Sequence, residues 1–269
     1  MYHRLARTEH YRWWKPIVEL VLFVVVLFAL WFLVMPEVYD VVGRSEDGAP
    51  GIIKLGITLW CLIPASLLAA RIVGRPARSL LSVEMRFRGR WFATCCLVTI
   101  VFIAAQTIIG LAVSAGPERG GWVGWDRFLP LALAVVLVIP LQASAEEFAF
   151  RGTLMQALGA WLPWPWVSIA ITGVLFGLVH ALPLEGFVAI TTFGLVAGWL
   201  TIRTGGLEAA IALHVLNNVT FFLVDAATGR GDKWVTELNK DVTWTATAFD
   251  VVLNVLYGVI IAMLYARRK

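Results

Sequence analysis

Eight stretches of this chain run for about 20 residues each with almost no charge, the length that a helix needs to cross the hydrocarbon of a bilayer. They fall at about Pro16–Met35, Ile52–Ala70, Trp91–Val113, Phe128–Ala145, Trp164–Leu182, Glu185–Ile202, Gly206–Val224 and Thr245–Ala266. The runs are continuous rather than alternating, which favours helices over a barrel, because a helix satisfies its backbone within one segment. The chain is 59% hydrophobic and 15% charged, against about 45–50% and 25% in soluble domains. The expected fold is all-α: a polytopic membrane helical bundle of about eight transmembrane helices. Its 269 residues form a single integral membrane domain and leave no room for a sizeable soluble one.

The loops support that count. The N-terminal residues, the Arg71–Arg90 loop, the turn at Arg203 and the terminal Arg267-Arg268-Lys269 are basic. The Pro36–Pro50 and Asp225–Trp244 loops are acidic or mixed. Eight spans put every basic segment on one side, and the positive-inside rule makes both termini cytoplasmic in a multi-pass protein of the cell membrane. The arginines at 71, 75, 78, 86, 88 and 90 stand among apolar residues, which predicts an interfacial segment attracted to anionic lipid. That setting accounts for the basic charge without nucleic acid. Glu19, in the first turn of its span, is expected to reach the interface. Trp122 and Trp125 are expected to anchor a Gly-rich connection there. Cys61, Cys95 and Cys96 all lie in apolar runs, so they read as small core residues rather than a disulfide framework. The first apolar run is too long for a signal-peptide core and ends without a small-residue cleavage site, so no cleavable leader is expected.

Within this apolar background, Glu146, Glu147 and Arg151 stand out. An ionisable side chain at such depth costs about 2.5–3.5 kcal/mol on insertion scales, and in membrane spans such residues mark function. Glu147 and Arg151 are four apart on a helix and can pair, which leaves Glu146, about 100° round the helix, free for another task. Two histidines also lie in apolar runs: His180 closes Phe176-Gly177-Leu178-Val179-His180, and His214 shares a helix face with Asn218.

If the fourth helix continues through Arg151 to about Leu162, Glu146 and His180 each lie about 24 Å from the Leu162–Pro165 turn, at matching depth. His214 is expected near the middle of its own span. A carboxylate and a neutral histidine can activate water, and a second histidine with an asparagine amide can stabilise an oxyanion. The same set, Glu146, His180 and His214, could instead hold zinc with one open position. These residue types do not choose between the two. Ser144 is placed on nearly the opposite face from Glu146, and no serine or cysteine forms a rival nucleophilic dyad.

Glu146-Glu147-x-x-x-Arg151, Phe176-x-x-x-His180 and His214-x-x-x-Asn218, in that order, resemble the three motifs of the CAAX-protease and bacteriocin-processing (CPBP, or ABI) family of intramembrane endopeptidases. The resemblance covers about residues 128–224 and marks that part as the catalytic core. It implies that Glu146 is the general base, with His180 sharing the water. His214 and Asn218 would form the oxyanion site, and Glu147 and Arg151 would orient the helix or the substrate. The family has been described both as glutamate-dependent and as metal-dependent, and the glutamate route without a cofactor is favoured here.

The expected substrate is a membrane-associated protein or peptide. A non-catalytic membrane subunit or a bacteriocin-immunity-type protein that retains the fold is the alternative, with a membrane protein partner possible in that case. An ion-coupled transporter would use similar buried charges, but no repeat of broken helices supports it.

Overall fold

The computed structural model describes residues 1–43, 48–113, 121–229 and 243–268, with side chains at 109–113 excepted. The acidic residues Glu46, Asp47, Asp232, Glu237 and Asp241 lie outside the described residues. Helices account for the bundle: α1 Lys15–Val42, α2 Gly48–Trp60, α3 Leu62–Ile72, α4 Gly89–Val113, α5 Trp125–Glu147, α6 Met155–Trp161, α7 Pro165–Val179, α8 Leu184–Thr204, α9 Glu208–Thr228 and α10 Trp244–Ala266. Among the described residues, seven helical segments are long and apolar enough to cross a membrane, with α2 and α3 joined as one span. The fold is an all-α polytopic bundle, and the protein is an integral membrane protein. α7 is shorter, at 15 residues, and ends at His180 rather than running on to Leu182.

The fourth span does continue past the Glu-Glu pair. It is helical from Trp125 to Trp161, 37 residues, but not as uniform α-helix. Phe148–Leu154 forms a π-helical turn between α5 and α6. A π-turn widens the helix and shifts the faces beyond it, and such turns are frequent at functional sites. Pro130 and Pro140 lie inside α5, where the hydroxyl of Ser144 donates to the Pro140 carbonyl at 2.7 Å.

α5 packs between α2 and α9, and α8 lies against α7 and α10, with α4 closing on α9. The α7–α8 crossing is a backbone contact. A Cβ on Gly194 would stand 3.0 Å from the Gly173 Cα, tighter than nearly all side-chain contacts. Small residues at such crossings let membrane helices approach without a hydrophobic driving force.

One end of the bundle is tied by the basic segments. The Tyr2 hydroxyl donates to the Leu80 carbonyl. Ser82 bridges Gly206, and Arg268 stacks over the Trp91 ring at 4.9 Å. The N-terminal residues form an internal plug: Tyr2 and His3 are fully buried, and a Cβ on Gly159 of α6 would fall 1.9 Å from the His3 carbonyl oxygen.

This end corrects two expectations. Glu19 does not reach the interface; it is buried and lies 3.1 Å from Arg75. Arg75 and Arg88 of the basic loop are likewise internal. Arg75 donates to Gln156 at 2.9 Å, and Arg88 binds Glu208 through Nε and Nη2 at 2.9 and 2.6 Å. Both are struts because a guanidinium tied to a carboxylate or amide inside the protein is satisfied there and is not available to lipid. The four other arginines of the loop are exposed.

Candidate active site

Glu146 and Glu147 end α5 and point into the bundle; Glu147 is fully buried and Glu146 is 8% exposed. Their separation of about 100° on the helix turns them to different neighbours, and His214 of α9 reaches both. His214 Nδ1 lies 2.8 Å from Glu147 Oε1, and its Nε2 lies 3.4 Å from Glu146 Oε2. Glu147 Oε1 also accepts from Arg151 Nη1 at 2.8 Å, the i,i+4 pair expected from the sequence. Arg151 then donates Nη2 to the Gly194 carbonyl at 3.2 Å.

A fully buried arginine needs more than one partner. Arg151 is fully buried, and it gains a π-face as well, with its guanidinium 4.5 Å from the Phe176 ring centroid. Phe176 therefore holds the middle of the site. Its ring stands 4.7 Å from that of His180 and 5.7 Å from that of His214. The Gly173–Gly194 crossing next to it brings the Gly194 carbonyl within reach of Arg151.

His180 caps α7 and accepts partial exposure. Its Nδ1 lies 2.6 Å from the Phe176 carbonyl. A carbonyl can only accept, so Nδ1 carries the proton, and in the neutral ring Nε2 is left as the lone-pair nitrogen. Among the described residues His180 makes no hydrogen bond or ion pair with Glu146; the carboxylate's near histidine is His214. His214 itself sits seventh in α9 rather than at mid-span, since that helix runs from Glu208 to Thr228.

One residue of the cluster has no counterpart in the sequence reading. Gln142 is one turn before Glu146 on α5 and is 4% exposed. Its Nε2 donates to Glu146 Oε1 at 2.7 Å, and its Oε1 accepts from Asn218 Nδ2 at 3.4 Å. The signal was available: a buried amide at i−4 from the carboxylate shares its helix face. Glu146 is thus anchored through one oxygen, while Oε2 has no hydrogen-bond donor among the described residues.

Of the set that could hold zinc, Glu146 and His214 lie together, while His180 is bonded to the Phe176 carbonyl. Both His214 nitrogens face carboxylates, and Glu146 Oε1 is taken by an amide. Among the described residues no group of three His, Cys, Asp or Glu side chains converges as a metal site would require.

Residues 125–220 match a family model described as Type II CAAX prenyl endopeptidase Rce1-like. The chain is also similar to the uncharacterized protein YyaK of Bacillus subtilis (strain 168), 30% identical over 165 residues. That match covers 58% of this chain and 55% of the relative, so the chain spans about half the length of the curated relative it matches. The matched segment runs from the start of α5 into α9 and carries all three motifs, so residues 125–220 are similar to Rce1-like CAAX prenyl endopeptidases.

Proposed function

We propose that this protein is an intramembrane endopeptidase that hydrolyses a peptide bond of a membrane-associated protein or peptide, with water activated by Glu146. The observation that carries the reading is the division of labour at the two adjacent carboxylates. Glu147 Oε1 is committed to the charged Arg151 and to His214 in a fully buried site, whereas Glu146 is 8% exposed, is held at Oε1 by the neutral Gln142 amide, and keeps an Oε2 that faces His214 Nε2 at 3.4 Å without a hydrogen bond among the described residues. A general base needs such an oxygen.

Glu146 Oε2 takes a proton from water as the oxygen adds to the substrate carbonyl carbon. His180 Nε2 accepts the second O–H and orients the attack. The tetrahedral oxyanion is met by the Asn218 amide and by His214 Nε2–H. His214 can donate there only as imidazolium, because its Nδ1–H is held by Glu147. Collapse breaks the C–N bond, and the proton on Glu146 passes to the leaving amine. Gln142 positions Glu146, and Phe176 positions Arg151 and both histidines.

The arginine-rich end of the bundle is the cytoplasmic end, with both termini inside and the chain in the cell membrane. The substrate is a membrane protein or peptide reaching the cluster between helices.

The test is cleavage of a mixed membrane-peptide library by the wild type and Glu146→Gln, with and without a chelator, together with zinc analysis of both proteins. Cleavage that needs Glu146, survives chelation and proceeds without stoichiometric zinc supports the proposal. One zinc per chain, lost together with cleavage in the variant, overturns the metal-free mechanism. No cleavage of any library member favours a non-catalytic subunit.

A further inference from the structure

A cleft of about 480 Å³ opens at the basic end of the bundle, apart from the Glu146 cluster. Its walls are the start of α4 and the end of α10, both at the border of their spans. Arg86, Arg88, Arg90 and Arg268 line it, against the single lining carboxylate Glu84. Two of these arginines are occupied. Arg88 is bidentate on Glu208, and Arg86 pairs with Glu84 at 2.7 Å.

Arg90 and Arg268 have no carboxylate partner among the described residues, and both are exposed. Arg268 is held over the Trp91 ring at 4.9 Å, which fixes its charge at the cleft rather than leaving it to wander in solvent. Trp91, a wall residue 2% exposed, has an indole N–H with no acceptor among the described residues. The Trp91 and Tyr265 rings meet at 5.2 Å, tilted by 57°, and such aromatic pairs sit well at headgroup level. Among the described residues the cleft therefore combines two guanidinium groups without a carboxylate partner, an unsatisfied donor in its wall and an aromatic floor at a membrane border.

We infer that this cleft binds one phosphate ester, presented by an anionic lipid headgroup or as a free phosphate, through Arg90 and Arg268. Guanidinium groups bind such anions by bidentate, charge-assisted hydrogen bonds. The site is built from two spans that are distant in sequence. It is thus distinct from a diffuse attraction of the whole Arg71–Arg90 loop.

The experiment is native mass spectrometry of the full chain released from micelles containing phosphatidylglycerol or phosphatidylcholine, with and without inorganic phosphate. The wild type is expected to retain one phosphatidylglycerol per chain in preference to phosphatidylcholine. Arg90→Gln/Arg268→Gln should weaken that retention about tenfold or more, as expected for loss of two charge-assisted contacts. Arg71→Gln/Arg78→Gln, exposed arginines of the same loop outside the cleft, should retain the lipid as the wild type does. Displacement by millimolar inorganic phosphate identifies free phosphate as a ligand, and lipid retained against it identifies the headgroup. Equal loss in both double variants, or no preference for either anion in the wild type, overturns the inference. Peptide cleavage is read separately, so failure here leaves the proposed activity untouched.

Discussion

Glu147 and His214 are joined at 2.8 Å across two helices, 67 residues apart in the chain. This contact links the carboxylate that Arg151 neutralises to the histidine that faces Glu146. In the proposed mechanism it makes the second glutamate of the pair a positioning residue and leaves the first for chemistry.

Replacing Glu146 by Gln preserves the shape of the side chain and an acceptor for the Gln142 amide, but removes the base. Cleavage should fall by about 10²–10⁴-fold, the usual contribution of a general base. The thermal midpoint in detergent should stay close to that of the wild type. Activity within threefold of wild type would remove Glu146 from the mechanism.

Arg151→Met should act on stability first. It strands Glu147 without its guanidinium in a fully buried site, a change that typically costs about 3–5 kcal/mol. The double variant Glu147→Gln/Arg151→Met removes the stranded charge and should recover part of that loss. Equilibrium unfolding of the three variants in one detergent measures it, and a double variant less stable than Arg151→Met contradicts the pairing.

Gln142→Leu should lower kcat more than it raises KM, because Gln142 touches Glu146 and Asn218 rather than substrate. A loss of about tenfold is expected for one hydrogen bond to a charged group. Gln142→Glu should not rescue it, since a carboxylate cannot donate to Glu146. Steady-state kinetics on one library-derived peptide decides this, and a change confined to KM would place Gln142 at the substrate instead.

The N-terminal plug should loosen with acid. Burial holds the His3 imidazole below its usual pKa, so the folded plug prefers the neutral ring. Stability from this residue is present above about pH 6.5, the unfolded value, and is lost as pH falls through the lower folded value. Limited proteolysis within the first 14 residues should accelerate between pH 7 and pH 5. His3→Gln should flatten that dependence; if the acceleration persists, another group controls the plug. Gly159→Ala should expose the same segment at all pH values, because its methyl would meet the His3 carbonyl.

Seven of the eight expected spans were legible because hydrocarbon leaves helices as the solution for continuous apolar runs, while α7, at 15 residues, falls short of spanning length. Glu147–Arg151 was legible for a local reason: four residues along one helix fix their distance. The limits of the site reading are equally physical. Glu19 was assigned to the interface from its place in the first turn, yet its partner Arg75 comes from a loop 56 positions on, and no local rule links the two. Arg88 read as one of six loop arginines, although Glu208 of α9 claims it.

What the sequence by itself determined is the bundle, its basic end and the identity of the ionisable residues, all consequences of transfer cost and helical period. Only the tertiary structure decided that His214 bridges both carboxylates, that Gln142 fastens Glu146 and that Phe176 holds Arg151. Those contacts depend on how α5, α7, α8 and α9 cross, and on a π-turn that resets the faces after Glu147. Crossing is set by close packing, as at Gly173 and Gly194, and packing between distant segments leaves no period in the chain to read.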